Sequence, residues 1–129
     1  MKKPTYNFLH RLQLAISGIY VAFVRERHMK AHLLWGTGLL LPLTFIEVKI
    51  THRFILILLL ANVIVIELIN TAIETTIDLV TRRYSYRAKL AKDMASGAVL
   101  LASLMLLGFS IFIYWPAMYN FFKGVLIGS

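Results

Sequence analysis

Glu67, Asn70, Glu74 and Asp78 follow one another at intervals of three, four and four residues. At about 3.6 residues per helical turn they share one face, within a sector of roughly 80°, and Thr71 and Thr81 lie near it. Carboxylate oxygens grouped in this way suit a hard divalent cation. Magnesium takes one or two carboxylates, keeps water, and completes its shell with phosphate oxygens. The plainer reading is structural: polar groups inside a membrane also join helices by hydrogen bonds, and Asn70 with Thr71 would suffice for that.

The flanking residues set what such a column costs. From Phe54 to Ile66 eleven residues are Leu, Ile, Val or Phe. At about 0.3–0.6 kcal/mol each they favour membrane insertion by roughly 3–7 kcal/mol. One acid at the bilayer centre opposes insertion by about 2.5–3.5 kcal/mol, so three would cancel the gain. The acids therefore need partners, water, a metal, or a place near the boundary. Glu67 lies 13 residues past Phe54, about 20 Å along a helix, in the inner third of a hydrocarbon core about 30 Å thick. Glu74 and Asp78 lie further into the same interface. That depth suits chemistry on a group presented among lipid headgroups.

The rest of the chain fits this setting. It has 129 residues, 59% hydrophobic and 16% charged, the composition of a membrane protein and the length of one domain over 1–129. The fold class expected is all-α integral membrane. Residues 5–28 predict a surface helix, with Phe8, Leu12, Ala15, Ile19 and Phe23 on one face and His10, Gln13 and Ser17 on the other; it lies on the membrane or tucks under a helix bundle. Residues 31–48, 54–80 and 94–115 predict three transmembrane helices, the first short and kinked at Pro42, the last ending before Pro116. Residues 81–93 read as a basic connector whose last part can already be helical. Three spans place eleven Lys and Arg, from Lys2, Lys3 and the rest of the N-terminal segment to Arg82 and its connector, on one side. Lys49, Arg53 and Lys123 fall on the other. This bias puts the N-terminus in the cytoplasm. It accounts for the net charge of +8 with no nucleic-acid partner. The opening "MKKPTYNFLHRLQLAI" is broken by His10, Arg11 and Gln13, so it is expected to remain rather than act as a signal peptide. Cysteine is absent, which excludes a disulfide framework and a thiolate metal site.

With this orientation Glu26, Glu67, Glu74, Asp78 and Asp93 gather at the cytoplasmic boundary, and only Glu47 lies at the outer connector. Five of six acids grouped in a chain with fourteen Lys and Arg favour a cation site, and magnesium with phosphate points to a nucleotide. Lys92 beside Asp93 can hold phosphate as a point charge; alone, the two read as a solvated boundary pair. His28 and His32 have the i, i+4 spacing of metal ligands, but without a third ligand they read as interfacial histidines. Neither G-x-x-x-x-G-K-[ST] nor G-x-G-x-x-G occurs, so a phosphate site must be built from side chains on helices. "WGTGLLL", residues 35–41, reads as a helix-packing site.

"ELINTAIETTID", residues 67–78, resembles the signature of the prokaryotic diacylglycerol kinase family: Glu, two residues, Asn, Ser or Thr, a small residue, an aliphatic, Glu, two residues, an aliphatic, Asp. "GIYVAFVRERHMKAH", residues 18–32, and "AKDMASGAVLLAS", residues 91–103, resemble two further family segments at fitting distances, so the resemblance covers most of residues 10–110. It implies a bacterial inner-membrane homotrimer whose subunits have a surface helix and three spans. Its site would lie between subunits at the cytoplasmic interface. There the γ-phosphate of magnesium-bound ATP would pass to a lipid alcohol, diacylglycerol or undecaprenol. Position by position, Glu67 would be the general base, and Glu26 and Glu74 would hold magnesium. Asn70 would orient this cluster at the nucleotide. Lys92 would contact phosphate, and Asp93 and Asp78 would serve the ribose or its surroundings. Arg83, Tyr84 and Ser85 would lie near the adenine, and Ser96 would approach the lipid.

One departure concerns the start of the surface helix, where some members have a substrate-contacting arginine. Alignment on Gly18 puts Asn7 there, and Arg11, a turn later, would take its place, with Leu14 beside the lipid. "ERHMKAH" and "LAKDMASGAV" are closer to the undecaprenol kinase branch. Two other readings remain in view. A small cation- or proton-coupled transporter subunit needs a polar path across the bilayer, yet between Phe54 and Ile66 only Asn62 is clearly polar, about 140° around the helix from Glu67. A scaffold would need none of the carboxylates.

Overall fold

The computed structural model describes residues 7–81 and 83–127. Residues 5 and 6 of the predicted surface helix, Lys2 and Lys3, and Arg82 of the basic connector lie outside the described residues. Every regular element among the described residues is helical: α1 (Phe8–Arg25), α2 (Arg27–Leu40), a 3-10 turn (Leu41–Thr44), α3 (Ile50–Val80) and α4 (Tyr86–Ile127).

α1 starts at a side-chain cap. Asn7, the residue standing at the expected arginine's place, accepts the His10 backbone N–H at 2.9 Å, satisfying one of the donors that a helix start leaves open. Of the two placements expected for this helix, tucking under the bundle is not seen. Ala22 is its one buried residue, and Phe8, Leu12 and Ile19 are exposed. The predicted helix over 5–28 also breaks at Glu26, whose extended backbone ends α1 and begins α2. An acid at a helix start usually caps it with its carboxylate. Glu26 makes no such bond.

The segment expected as the first span is not one α-helix. α2 stops at Leu40, and the chain tightens into the 3-10 turn with Pro42 among its first residues. In a 3-10 turn the Leu39 carbonyl would look to residue 42 for a donor, and proline has no N–H. The Tyr114 hydroxyl, from α4, donates to that carbonyl at 2.7 Å. Of the two glycines in the expected packing motif, only Gly36 is packed: a Cβ there would meet the Leu60 Cδ1 at 2.3 Å, while at Gly38 it would meet nothing within 4 Å.

α3 and α4 form the main contact. Along α3 the buried positions are Leu56, Leu60, Val63, Glu67 and Asn70, alternating steps of four and three. Opposite them lie Ala95, Val99, Ala102, Leu106, Ser110 and Ile113. The small residues Ala95 and Ala102 on the α4 side allow close approach. The half of this seam around Leu56, Leu60 and Val63 is apolar, and the half from Glu67 onward is polar. Phe54, Leu58 and Ile69 of α3 and Leu100, Leu104 and Phe112 of α4 are exposed, an apolar outer surface of the kind lipid covers. By length and composition α3 and the Tyr86–Gly124 part of α4 can each cross a membrane. α4 is longer than the predicted 94–115 at both ends: the basic connector is already helical from Tyr86, and Pro116 lies inside the helix instead of ending it.

Candidate functional site

The seam opens where Glu67 begins its polar half. A cavity of about 300 Å³ is lined by His28 and His32 from α2, Glu67, Asn70 and Glu74 from α3, and Ser96 and Ser103 from α4. Glu67 is only 2% exposed and Asn70 7%, so both face the cavity from within the packed seam. The Asn70 amide donates to Glu74 Oε1 at 3.4 Å. Its carbonyl oxygen Oδ1 is buried without a partner, as is Ser103 Oγ. Two orphaned polar atoms lining one cavity mark it as a place for a polar guest, because buried polar groups are otherwise satisfied. Glu67 receives no hydrogen bond from any described side chain. Among the described residues its one cationic partner within 4.0 Å is His32, whose Nε2 lies 4.0 Å from Oε2. His32 Nδ1 accepts the indole N–H of Trp35 at 3.2 Å.

Glu26 does not line this cavity. It opens on a hollow of about 730 Å³ between α1 and α3, with Arg25, Thr71 and Thr75 among its neighbours. The two carboxylates expected to share a metal thus flank α3 on different sides, although both stand within electrostatic reach of Glu67. Among the described residues no group of three His, Asp or Glu is arranged around a metal. The oxygen donors that do face the cavity fit magnesium better than zinc, because magnesium settles for one or two carboxylates and takes its other oxygens from water and phosphate. Glu74 and the free Asn70 Oδ1 are hard oxygen donors of this type.

Asp78, Arg83, Tyr84, Ser85 and Lys92 line a separate hollow of about 310 Å³ at the α3–α4 connection, together with Lys89. Lys92 Nζ is 2.5 Å from Asp78 Oδ1. The Thr81 hydroxyl holds the turn by donating to the Arg83 carbonyl at 2.9 Å and accepting the Arg83 N–H at 3.3 Å. Ser85 Oγ accepts from the Ala88 N–H at 3.5 Å at the start of α4, a capping duty in addition to its place in the hollow. Asp93 is exposed and lines neither space. Arg11 and Leu14 are exposed on α1 and lie outside the acidic cavity. Residue-type reasoning missed His28, His32 and Ser103 as cavity residues. Their available signal was spacing: His28 and His32 share a face of α2, and Ser96 and Ser103 are one heptad apart on α4.

The described residues form only helices, two of them long and apolar enough to cross a membrane, and α2, α3 and α4 together line an acidic cavity. The family of the chain is equally definite. The sequence profile of the prokaryotic diacylglycerol kinase family matches residues 13–114, and the chain belongs to that family. It is 34% identical over 99 residues to the diacylglycerol kinase of Synechocystis sp., covering 76% of this chain and 57% of that one. It is 33% identical over 110 residues to the undecaprenol kinase of Bacillus subtilis, covering 85% of this chain and 86% of that protein. The chain thus spans little more than half the length of the first relative and most of the second.

Proposed function

We propose that this chain is an ATP-dependent lipid kinase of the bacterial inner membrane, acting as a homotrimer with its site at the cytoplasmic interface. The observation that carries the reading is the Glu67 carboxylate: buried, unbonded by protein side chains, and facing a cavity shared with Ser96, Asn70 and Glu74. A carboxylate so placed can take the proton of a lipid hydroxyl. As it does, the hydroxyl oxygen bonds to the γ-phosphorus, the bond from the γ-phosphorus to the β–γ bridging oxygen breaks, and ADP leaves with the bridging oxygen. Magnesium held at Glu74 would supply neutralisation of phosphate charge, and Glu26, on the other side of α3 within one subunit, would join it only where subunits meet. Asn70 keeps Glu74 oriented, and Lys92 turns from Asp78 to the transferring phosphoryl group. Asp78, Asp93, Arg83, Tyr84 and Ser85 surround the nucleoside end. Arg11, Leu14 and Ser96 meet the lipid. The rival transporter reading needs a polar path beyond Glu67, and there the buried seam continues as Val63, Leu60 and Leu56.

The lipid is diacylglycerol or undecaprenol, since relatives bearing each name stand at nearly equal identity. The test is radiolabelled ATP with purified protein and each lipid in parallel. Transfer to one of them is the expected result, and transfer to neither overturns the proposal. Glu67→Gln should lower kcat by roughly 10²–10⁴-fold, the range for a lost general base, with the oligomer intact on sizing. Undiminished activity in that variant removes Glu67 from the role.

A further inference from the structure

We infer that His32 is a positioning residue for Glu67, and that Trp35 fixes it in the one tautomer able to do this. The inference rests on the reading of Glu67 as the base. The indole N–H is a donor only, and it points at His32 Nδ1 at 3.2 Å. A nitrogen that accepts that bond carries no hydrogen of its own, so the proton of the neutral ring sits on Nε2. Nε2 is the nitrogen that faces Glu67, 4.0 Å from Oε2. The distance is too long for a hydrogen bond. Catalytic hydrogen bonds are often long in a ligand-free site and close only with substrate present, and the inference requires this contact to close in that way.

No other described His, Lys or Arg comes within 4.0 Å of the Glu67 carboxylate, no described side chain hydrogen-bonds it, and its side chain is 3% exposed. An isolated buried carboxylate is free to rotate about its last bond. A single N–H on Oε2 would stop that rotation and leave Oε1 for the substrate hydroxyl. The choice of tautomer has a second consequence. A doubly protonated imidazole would give Glu67 a full positive partner and weaken it as a base. Doubly protonating the ring means giving up the Trp35 bond. His32 and Trp35 are three residues apart on α2, so the helix itself holds the two rings together, with centroids 5.9 Å apart and planes at 59°.

Full-length protein in lipid, with ¹⁵N-labelled histidine, tests this directly. The expected spectrum of the wild type has His32 Nδ1 bare and Nε2 protonated, the resonances assigned by their loss in His32→Gln. In Trp35→Phe, which keeps an aromatic ring and removes the donor, the single tautomer should give way to a mixture. In the kinase assay His32→Phe should lower kcat about 10–100-fold, the range for groups that orient a reacting residue, with KM for ATP and lipid within about twofold. His32→Gln, whose amide N–H can reach the same oxygen, should recover most of that loss. A protonated Nδ1 in the wild type overturns the inference whatever the activity. So does an unchanged kcat in His32→Phe, or a Gln variant no better than Phe. The base reading fails separately, if Glu67→Gln stays active.

Discussion

Lys92 presents the clearest conflict between where a side chain rests and what it is proposed to do. Its ammonium is spent on Asp78, yet both partners are well exposed, with side chains at 35% and 66%. Pairs of that kind contribute about 0.2–1 kcal/mol, so a triphosphate entering the hollow can take the lysine without a large penalty. Asp78→Asn should therefore shift KM for ATP by less than about fivefold, the equivalent of 1 kcal/mol. Lys92→Ala should lower kcat/KM far more, because it removes a charge from the phosphoryl group in the transition state. Steady-state ATP titrations of both variants distinguish the two. If Asp78→Asn is as damaging as Lys92→Ala, Asp78 contacts the nucleotide itself. The polar column from Glu67 to Asp78 was legible from spacing alone, since helix periodicity and the cost of burying acids leave few alternatives. The donor to Glu67 was not. Nothing local distinguishes His32 from an interfacial histidine until α2 lies against α3 and Trp35 has claimed its other nitrogen.

Elements were less legible than residues, and the errors share a physical cause. Pro116 and the basic stretch before residue 94 look like helix ends, because proline removes an N–H and clusters of charge favour water. α4 runs through both. Prolines are tolerated in membrane helices where neighbours and water satisfy the freed carbonyl. Pro42 has the opposite outcome, ending α2, and there a specific donor from Tyr114 compensates. "WGTGLLL" is a packing site at Gly36 and not at Gly38, a choice that the sequence motif does not specify. The structure makes that testable. Gly36→Ala drives a methyl into Leu60, a flexible chain end that can yield, so the cost should be about 1 kcal/mol, near the low end for overpacking. Gly38→Ala meets open space and should be neutral or stabilise the helix by up to about 1 kcal/mol. Thermal unfolding in detergent should rank Gly38→Ala at or above wild type and Gly36→Ala below. The reverse order would mean that α2 and α3 do not meet at Gly36.

At the scale of the molecule, the proposed chemistry depends on which side of the membrane each loop occupies. α3 is 31 residues, about 46 Å, and exceeds the hydrocarbon core by about 16 Å. Its excess can carry Glu74 and Asp78 into the headgroups. α2 alone, 14 residues and about 21 Å, does not cross. The 3-10 turn adds four residues at about 2 Å each. The composite is about 29 Å, just enough to span. If it spans, α1 lies on the same side as the α3–α4 connection, its exposed apolar face resting on the lipid that delivers substrate, and Glu26 reaches the acids. The packing of α1 and Glu26 beside Leu68, Thr71 and Thr75 of α3 requires this crossing, because α1 would otherwise lie with Lys49 on the opposite face. The absence of cysteine makes single-cysteine labelling decisive. Gln13→Cys on α1 and Arg87→Cys at the start of α4 should react with an impermeant maleimide only in inside-out vesicles. Lys49→Cys and Lys123→Cys should react only in right-side-out ones. Protection of Gln13→Cys together with Arg87→Cys in right-side-out vesicles supports three crossings. Labelling of Gln13→Cys on the side of Lys49→Cys leaves two crossings and separates Glu26 from the nucleotide.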